Sequence, residues 1–167
     1  MNKRIPALVA AIALLTTVAA AQDKASQKFI TEAIEGNYAE VQMGELAERN
    51  GQIPEVKSFG QTLITDHGAA VLKAQEAARS LGVEAPPGGP NAKQKADYDK
   101  MAKLNGATFD KAFAEHMVKD HKKDIAAYQK ASRKQDAAGQ YAQSTLPTLQ
   151  KHLQMSQSLQ KQTAAKR

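Results

Sequence analysis

Hydrophobic and polar residues alternate at helical spacing along four long stretches of the chain. In the clearest of them, Phe109, Phe113, Met117, Ile125 and Tyr128 recur three to eight residues apart and mark one apolar face of a helix. No stretch shows the two-residue alternation that is typical of a half-buried strand. The sequence therefore predicts an all-α fold. Its four long helices are expected at residues 26–50, 54–81, 108–134 and 137–162.

The breaks between these stretches differ in length. Residues 50–51 and 135–136 predict tight turns, whereas residues 82–90 contain a run of prolines and glycines that ends a helix. A short polar helix is predicted after this run, over residues 91–104. Two tight turns and one long connection favour an up-down-up-down four-helix bundle, with the short extra helix in the connection between helices two and three.

The predicted helix ends rest on residues with known positional preferences. Ser26 and Thr108 are suited to cap the N-termini of the first and third long helices. Pro54 is suited to the first turn of the second helix, where its missing N–H is not needed. Pro147 lies inside the last helical pattern, so we expect a kink or a restart of the helix there.

The N-terminal residues have the pattern of a secretory signal. A basic start is followed by an apolar run over residues 5–18 and by three alanines that end at Ala21. This pattern predicts a signal peptide at residues 1–21, cleaved before Gln22, and a mature domain at residues 22–167. The expected location is the periplasm, without a membrane span after cleavage. Peripheral association with the outer membrane is also compatible with this pattern.

Composition removes several classes of function. The 167 residues include no cysteine, so disulfide and thiolate chemistry are excluded. Removing the two basic residues of the signal from the 23 of the whole chain leaves 21, against 17 acidic residues, a net charge of +4. The lysines are interspersed with acids, and no basic patch contains interleaved aromatic residues. Nucleic acid is therefore not an expected partner.

Each long helix places one ionisable residue on or beside its apolar face. Counted along the chain from the two tight turns, these residues lie at similar distances. A rise of about 1.5 Å per residue puts them within roughly 6 Å of one level in the predicted bundle. Burying such groups without partners is costly, so we expect them to meet in the core. They are Glu40, His67, His121 and His152.

Three imidazoles and one carboxylate at one level are typical of a metal site. They suit a single transition-metal ion, either zinc, iron, manganese or copper. Asp66 and Asp120 each precede a histidine and would orient the imidazole of a neighbouring helix, since consecutive helical residues diverge by ~100°. His116 lies off the apolar face and is expected to be exposed. The alternative is a buried polar network of the same four residues that fixes helix register.

No catalytic residue is predicted. Ser144 and Thr145 have no base placed to activate them, and no glycine-rich phosphate loop follows a strand. Whether the protein is an enzyme is therefore left open, with a non-catalytic role favoured. One such role is a periplasmic interaction module, which would use residues 82–105 and an exposed Tyr98 and Met101 to contact a protein or the envelope. Its partner is unknown.

Four segments resemble a known family: FITEAIEGNYAEVQMGELA, FGQTLITDHGAAVLKAQEAARSLGVEAP, FDKAFAEHMVKDHKKDIAAY and LPTLQKHLQMSQSL. This family consists of exported bacterial proteins with a ferritin-like domain of unknown function, often labelled outer membrane proteins. The resemblance implies a ferritin-like four-helix bundle outside the cytoplasm and no established activity. The recurring positions of the family correspond here to Glu40, Asp66, His67, Asp120, His121, Pro147 and His152.

The sequence departs from the pattern of di-iron ferritin-like proteins. Those proteins carry Glu-x-x-His on two helices and a glutamate on each of the other two. No Glu-x-x-His occurs in this chain. Ferroxidase chemistry and iron storage are therefore not expected, and a mononuclear site fits the residues better.

Overall fold

The computed structural model describes the backbone of residues 8–165 and the side chains of residues 24–165. This part of the chain contains five helices and no strand, which confirms the predicted all-α class. Residues 1–7 of the predicted signal peptide lie outside the described chain, and residues 8–21 have no described side chains, so its cleavage stays a prediction. The helices are α1 (Leu8–Asn50), α2 (Pro54–Ser80), α3 (Ala92–Met101), α4 (Gly106–Ala131) and α5 (Ala137–Ala165).

Several predicted helix ends are corrected by the structure. Ser26 is not a cap, because α1 begins upstream at Leu8 and the buried Ser26 hydroxyl instead donates a hydrogen bond to Asp136. The N-cap of α4 is Asn105 and not Thr108. α5 continues as one helix through Pro147, so the predicted restart there is wrong. Pro54 does occupy the first turn of α2, as predicted.

The helices pack mainly as two pairs, α1 with α2 and α4 with α5, and α2 contacts α5 to join the pairs. A glycine pair sets the distance between α1 and α2. A Cβ atom added at Gly44 would lie 2.6 Å from the carbonyl oxygen of Gly60, and a Cβ at Gly60 would lie 2.6 Å from that of Gly44. Only glycine permits this approach, which explains a residue that otherwise lowers helix propensity.

A buried aspartate fastens the tight turn between α1 and α2. The Asp110 carboxylate, on α4, accepts hydrogen bonds from the backbone N–H groups of Gln52 at 2.9 Å and Ile53 at 3.1 Å. These two groups precede α2, where the positive end of the helix dipole also favours a carboxylate. The contact ties the two helix pairs together at this end of the molecule.

The short helix α3 contacts α1 and α4. Asn91 and Gln94 form a capping box at its start. Met101 is only 7% exposed and joins the apolar core, while Tyr98 packs partly buried against that core. The prediction that both side chains are exposed for a partner is therefore wrong. They attach α3 to the long helices instead, because α3 has few other apolar residues with which to do so.

The apolar core is divided into two clusters along the helices. One cluster lies toward the turn between α1 and α2 and includes Phe59, Phe113 and Met117. The turn between α4 and α5 is at the other end, where Asp136 contacts Ser26, so α4 runs parallel to α2 and the predicted up-down-up-down order is wrong. The other cluster lies toward that opposite end and includes Ile30 and Tyr128. A layer of buried polar side chains separates the clusters at mid-height. The polar layer consists of Asn37, Glu40, His67, His121 and His152.

Candidate metal centre

Three helices bring their histidines together in the polar layer. His67 on α2, His121 on α4 and His152 on α5 are 4%, 1% and 0% exposed. One ring nitrogen of each lies within 4.8 Å of a ring nitrogen of the other two. The ring centroids are 5.2 to 5.9 Å apart. The buried side chains can therefore direct three nitrogen atoms at one point.

The hydrogen bonds of Asn37 fix which nitrogen of His67 carries its proton. The Asn37 amide nitrogen donates to the backbone carbonyl of Ala33 at 2.7 Å and to the hydroxyl of Tyr141 at 2.8 Å. The remaining Asn37 atom, Oδ1, can only accept, and it lies 2.8 Å from His67 Nδ1. His67 Nδ1 must then donate, so His67 Nε2 is left with a free lone pair.

The same reasoning applies to the other two histidines. His121 Nδ1 lies 3.0 Å from the backbone carbonyl oxygen of Met117, which has no proton to give. His152 Nε2 lies 2.9 Å from a carboxylate oxygen of Asp66, which is also an acceptor. Both histidine atoms must therefore donate. The lone pairs remain on His121 Nε2 and His152 Nδ1.

These three nitrogen atoms have no hydrogen-bond partner. Among the described residues, the buried side-chain atoms without a partner are His67 Nε2, His121 Nε2, His152 Nδ1 and Glu40 Oε2, one from each long helix. Leaving a buried acceptor unsatisfied costs about 1–3 kcal/mol. The three histidines cannot relieve one another, since the proton of each is already donated to Asn37, the Met117 carbonyl or Asp66. A cation would satisfy all three lone pairs at once.

Burial also keeps the histidines neutral. It lowers the pKa of His67 well below the usual value, and the neighbouring His121 and His152 lower it further. Burial, followed by the proximity of His152, lowers the pKa of His121 to about 4. The pKa of His152 is lowered by burial despite the opposing effect of Asp66. Neutral imidazole is the form that binds a metal ion, so the three are ready to do so at neutral pH.

The spacing is close to that of a bound metal. Zinc binds histidine nitrogen at about 2.0–2.1 Å, which in a tetrahedral site places two ligand nitrogens roughly 3.4 Å apart. One ring nitrogen of each histidine lies within 4.8 Å of one on each of the others, so a shift of about an ångström per ring would reach that spacing. Three protein ligands leave one tetrahedral position for water or another ligand, as in zinc sites that keep an open position.

Glu40 lies outside this group of three histidines. Its side chain is 3% exposed, and its carboxyl lies within hydrogen-bonding reach of Asp120. Burial raises the pKa of Glu40 well above its usual range, and the charges of Asp120 and Asp124 raise it further. The structure thus places Glu40 among carboxylates, because its face of α1 is turned toward α4.

The two predicted orienting aspartates have different surroundings. Asp66 accepts a hydrogen bond from His152, which lies on another helix, as predicted. Consecutive residues of a helix point in different directions, so Asp66 cannot serve the adjacent His67 as easily. Asp120 faces Glu40, and the hydrogen bond of His121 goes to Met117 instead. The sequence analysis missed Asn37, although a polar residue on an apolar face was a signal for it. The Met117 carbonyl belongs to the main chain and gives no sequence signal.

His116 is not exposed as predicted. It is half-buried in the wall of a cavity of about 200 Å³ between α1, α3 and α4. Burial lowers its pKa, and the nearby Asp120 and Asp97 oppose that effect. It does not belong to the group of three histidines.

The fold and the site together define an all-α protein with a cluster of three buried histidines that could hold a metal ion. The chain belongs to the family described as a domain of unknown function, DUF4142, whose model matches residues 13–159. Comparison with curated proteins and with solved structures gave no match. The family carries no assigned activity, so the function must be argued from the site.

Proposed function

We propose that the protein binds one transition-metal ion through His67 Nε2, His121 Nε2 and His152 Nδ1. The observation that supports this most strongly is the pattern of hydrogen bonds around the three rings. In each ring, the protonated nitrogen donates a hydrogen bond, to Asn37, to the Met117 carbonyl or to Asp66. The other nitrogen of each ring is buried and has no partner. Such hydrogen-bond acceptors orient metal-binding histidines and fix their tautomers in known metal sites.

The chemistry of the ligands favours zinc, iron or copper. Imidazole nitrogen suits these metals, whereas manganese prefers oxygen ligands. Zinc is the first candidate, because three histidines with one open position form a well-known zinc arrangement. The sequence predicted Glu40 as the fourth ligand, and its position among carboxylates makes a water molecule the better fourth ligand.

We further propose that this metal site serves metal handling or envelope stress in the periplasm. The proposal of export rests on the signal pattern of residues 1–21, and the proposal of a ferritin-like bundle rests on the resemblance of the segments quoted above. No helix of the described chain combines the length and the apolar character required to cross a membrane. The absence of Glu-x-x-His argues for binding of an ion and against di-iron oxidation.

A second candidate is a non-catalytic structural or interaction module whose polar layer only fixes helix register. The chain of hydrogen bonds from His67 through Asn37 and Tyr141 to Tyr128 favours this alternative. Such a network normally pairs all its members, because a partly satisfied network destabilises a core. Four unpaired atoms in one layer therefore count against it.

Elemental analysis of the mature protein, purified without chelator or affinity tag, tests the proposal directly. We expect about one metal ion per chain in the parent and none in a His121→Leu variant. His116→Ala is the matched control, since it removes a histidine outside the group of three and should keep the metal. Metal-free parent protein that also fails to bind added zinc, cobalt, iron or copper would overturn the proposal.

The stability of the metal-free proteins separates the two candidates. If the histidines are metal ligands, His121→Leu replaces an unpaired buried imidazole by an apolar group and should leave metal-free stability equal or higher. If they form a structural network, the same change removes a network member and should lower the free energy of unfolding. Urea titration in the presence of a chelator measures this difference.

A further inference from the structure

A cavity of about 200 Å³ lies between α1, α3 and α4, beside the histidine cluster. Its wall extends from the exposed side chains of Lys93 and Lys123 to the buried Glu40 and His67. Water occupies about 30 Å³ per molecule in the liquid, so a space of this size has room for several water molecules. Polar and apolar side chains share its wall, and the charged ones lie on α1, α3 and α4.

Five carboxyl groups line this cavity, and three of them lie close together. Asp120 and Asp124 lie one helical turn apart on the same face of α4, and Glu40 approaches them from α1. The Glu40 carboxyl lies within hydrogen-bonding reach of Asp120. Two carboxylates at this distance repel each other unless a proton or a cation lies between them.

Positive charge from the protein does not reach this group effectively. Lys123 lies 4.0 Å from Asp124, but its side chain is 76% exposed, and such surface pairs contribute little. Lys93 is paired at 2.7 Å with Asp97 on its own helix. Within the described residues, neither Glu40 nor Asp120 has a lysine or arginine within ion-pair distance.

A second observation also indicates a ligand at this position. Glu40 is 3% exposed, lines the cavity, and has one oxygen, Oε2, without any hydrogen-bond partner. A buried carboxylate oxygen is a strong acceptor, and leaving it unpaired is costly. His67, which lines the same cavity, cannot donate to it, because the His67 proton is held by Asn37.

We propose that Glu40 and Asp120 form a second cation site, distinct from the three histidines, for a hydrated divalent ion of the Mg²⁺ and Mn²⁺ class. Such ions are commonly bound by one or two carboxylates and keep several of their water molecules. Asp124 adds negative charge and accepts a hydrogen bond from a metal-bound water. Both proposed ligands supply oxygen atoms, which disfavours the softer metals that suit the histidines.

Mn²⁺ is the probe that tests this site, because its free ion gives an electron paramagnetic resonance signal that is lost on binding. The test uses the full-length His121→Leu protein, in which the histidine cluster is disabled. We expect this variant to bind about one Mn²⁺ per chain. Water-proton relaxation should rise strongly on binding, since the bound ion retains exchanging water. Failure of every protein to bind Mn²⁺ saturably would overturn the proposal.

Two carboxylate variants locate the binding. Asp120→Asn, added to His121→Leu, should weaken Mn²⁺ binding by about tenfold or more, and Asp124→Asn should weaken it less. Asp99→Asn is the control, because Asp99 is an exposed aspartate on α3 that pairs with Lys95. Equal Mn²⁺ affinity in all the variants would show binding to the general surface and would overturn the proposal, provided that circular dichroism shows each variant to be folded.

The outcome is independent of the proposed histidine site. Asp120→Asn alone should keep its zinc, since Asp120 binds none of the three histidines. Loss of Mn²⁺ binding in His121→Leu itself would place Mn²⁺ at the histidines and overturn the second site alone. Retention of Mn²⁺ in a parent that binds no zinc would overturn only the histidine proposal.

Discussion

The side-chain oxygen of Asn37 accepts a hydrogen bond from Nδ1 of His67, with 2.8 Å between the two atoms. Asn37 stands on α1 and His67 on α2, so the bond crosses the interface between the two helices. It also orients the imidazole ring and keeps Nε2 free of a proton. One polar contact thus links the packing of the helices to the chemistry of the site.

Replacing Asn37 by leucine should therefore weaken metal binding without removing a ligand. Partners of this kind typically contribute 10–100-fold to metal affinity, so we expect zinc to bind Asn37→Leu about 10–100-fold more weakly. Competition with a chromophoric chelator measures the affinity. Tyr141→Phe is the control, since Asn37 keeps its bond to Ala33 in that variant. If Asn37→Leu binds zinc as tightly as the parent, the hydrogen bond from His67 to Asn37 does not contribute to metal affinity.

The metal-free protein should respond to acid through His121. Because its pKa in the folded state is about 4, below the usual 6.5, the unfolded chain binds a proton more readily. The stabilisation from neutral His121 is present above pH 6.5 and is lost as the pH falls toward 4. On acidification through this window, His121→Leu should gain up to about 1.4 kcal/mol per pH unit relative to the parent. Urea titrations at several pH values measure the difference.

Glu40 should give the opposite slope. Its pKa is raised in the folded protein, so the folded chain holds the proton more tightly than the unfolded chain. Its contribution is therefore present below the usual carboxyl pKa and is lost as the pH rises above it. Glu40→Gln should become progressively more stable than the metal-free parent as the pH is raised from 4.5 to 7.5. A constant difference across this range would contradict the burial of an ionisable Glu40.

The close approach of α1 and α2 predicts opposite effects for two glycines of the same helix. Gly60→Ala would place a Cβ atom 2.6 Å from the Gly44 carbonyl oxygen, and overpacking of this kind typically destabilises by about 1–3 kcal/mol. Gly68→Ala meets no atom within 4 Å and should stabilise the helix by about 0.5–1 kcal/mol. Thermal unfolding of both variants tests the geometry. A neutral Gly60→Ala would contradict the packing of this interface.

The contact of Asp110 with the first tight turn should be important for stability. Asp110→Ala leaves the N–H groups of Gln52 and Ile53 without their acceptor, and bonds to a charged group contribute about 1.5–3 kcal/mol each. We expect a loss of roughly 3 kcal/mol or more in the free energy of unfolding. Glu115→Ala on the same helix removes only a weak, exposed ion pair at 4.0 Å and should change stability by about 0.5 kcal/mol at most. If Asp110→Ala and Glu115→Ala lower the free energy of unfolding equally, Asp110 does not stabilise the turn in this way.

Local sequence signals predicted the existence of the helices well, but they predicted the ends of the helices less well. Pro54 marked the start of α2 because its ring and missing N–H suit only a first turn. Ser26 was misleading, since a serine caps a helix only where the chain leaves helical geometry, and the residues before it remain helical. Met101 was misjudged because a short helix with few large apolar residues gives no periodic signal of the face that it buries.

The sequence by itself determined that His67, His121 and His152 would meet. Helical periodicity places each on a buried face, and each lies near the middle of its helix, so the three share one level although the two tight turns are at opposite ends. Only the tertiary structure decided which nitrogen of each histidine ring lacks a hydrogen-bond partner, and that Glu40 faces Asp120 and not the histidines. Those outcomes depend on contacts between distant residues, such as Asn37 with Tyr141 and Glu40 with Asp120, and on a backbone carbonyl that carries no side-chain identity. Periodicity fixes the face of a helix, whereas the partner across that face depends on how the helices pack against one another.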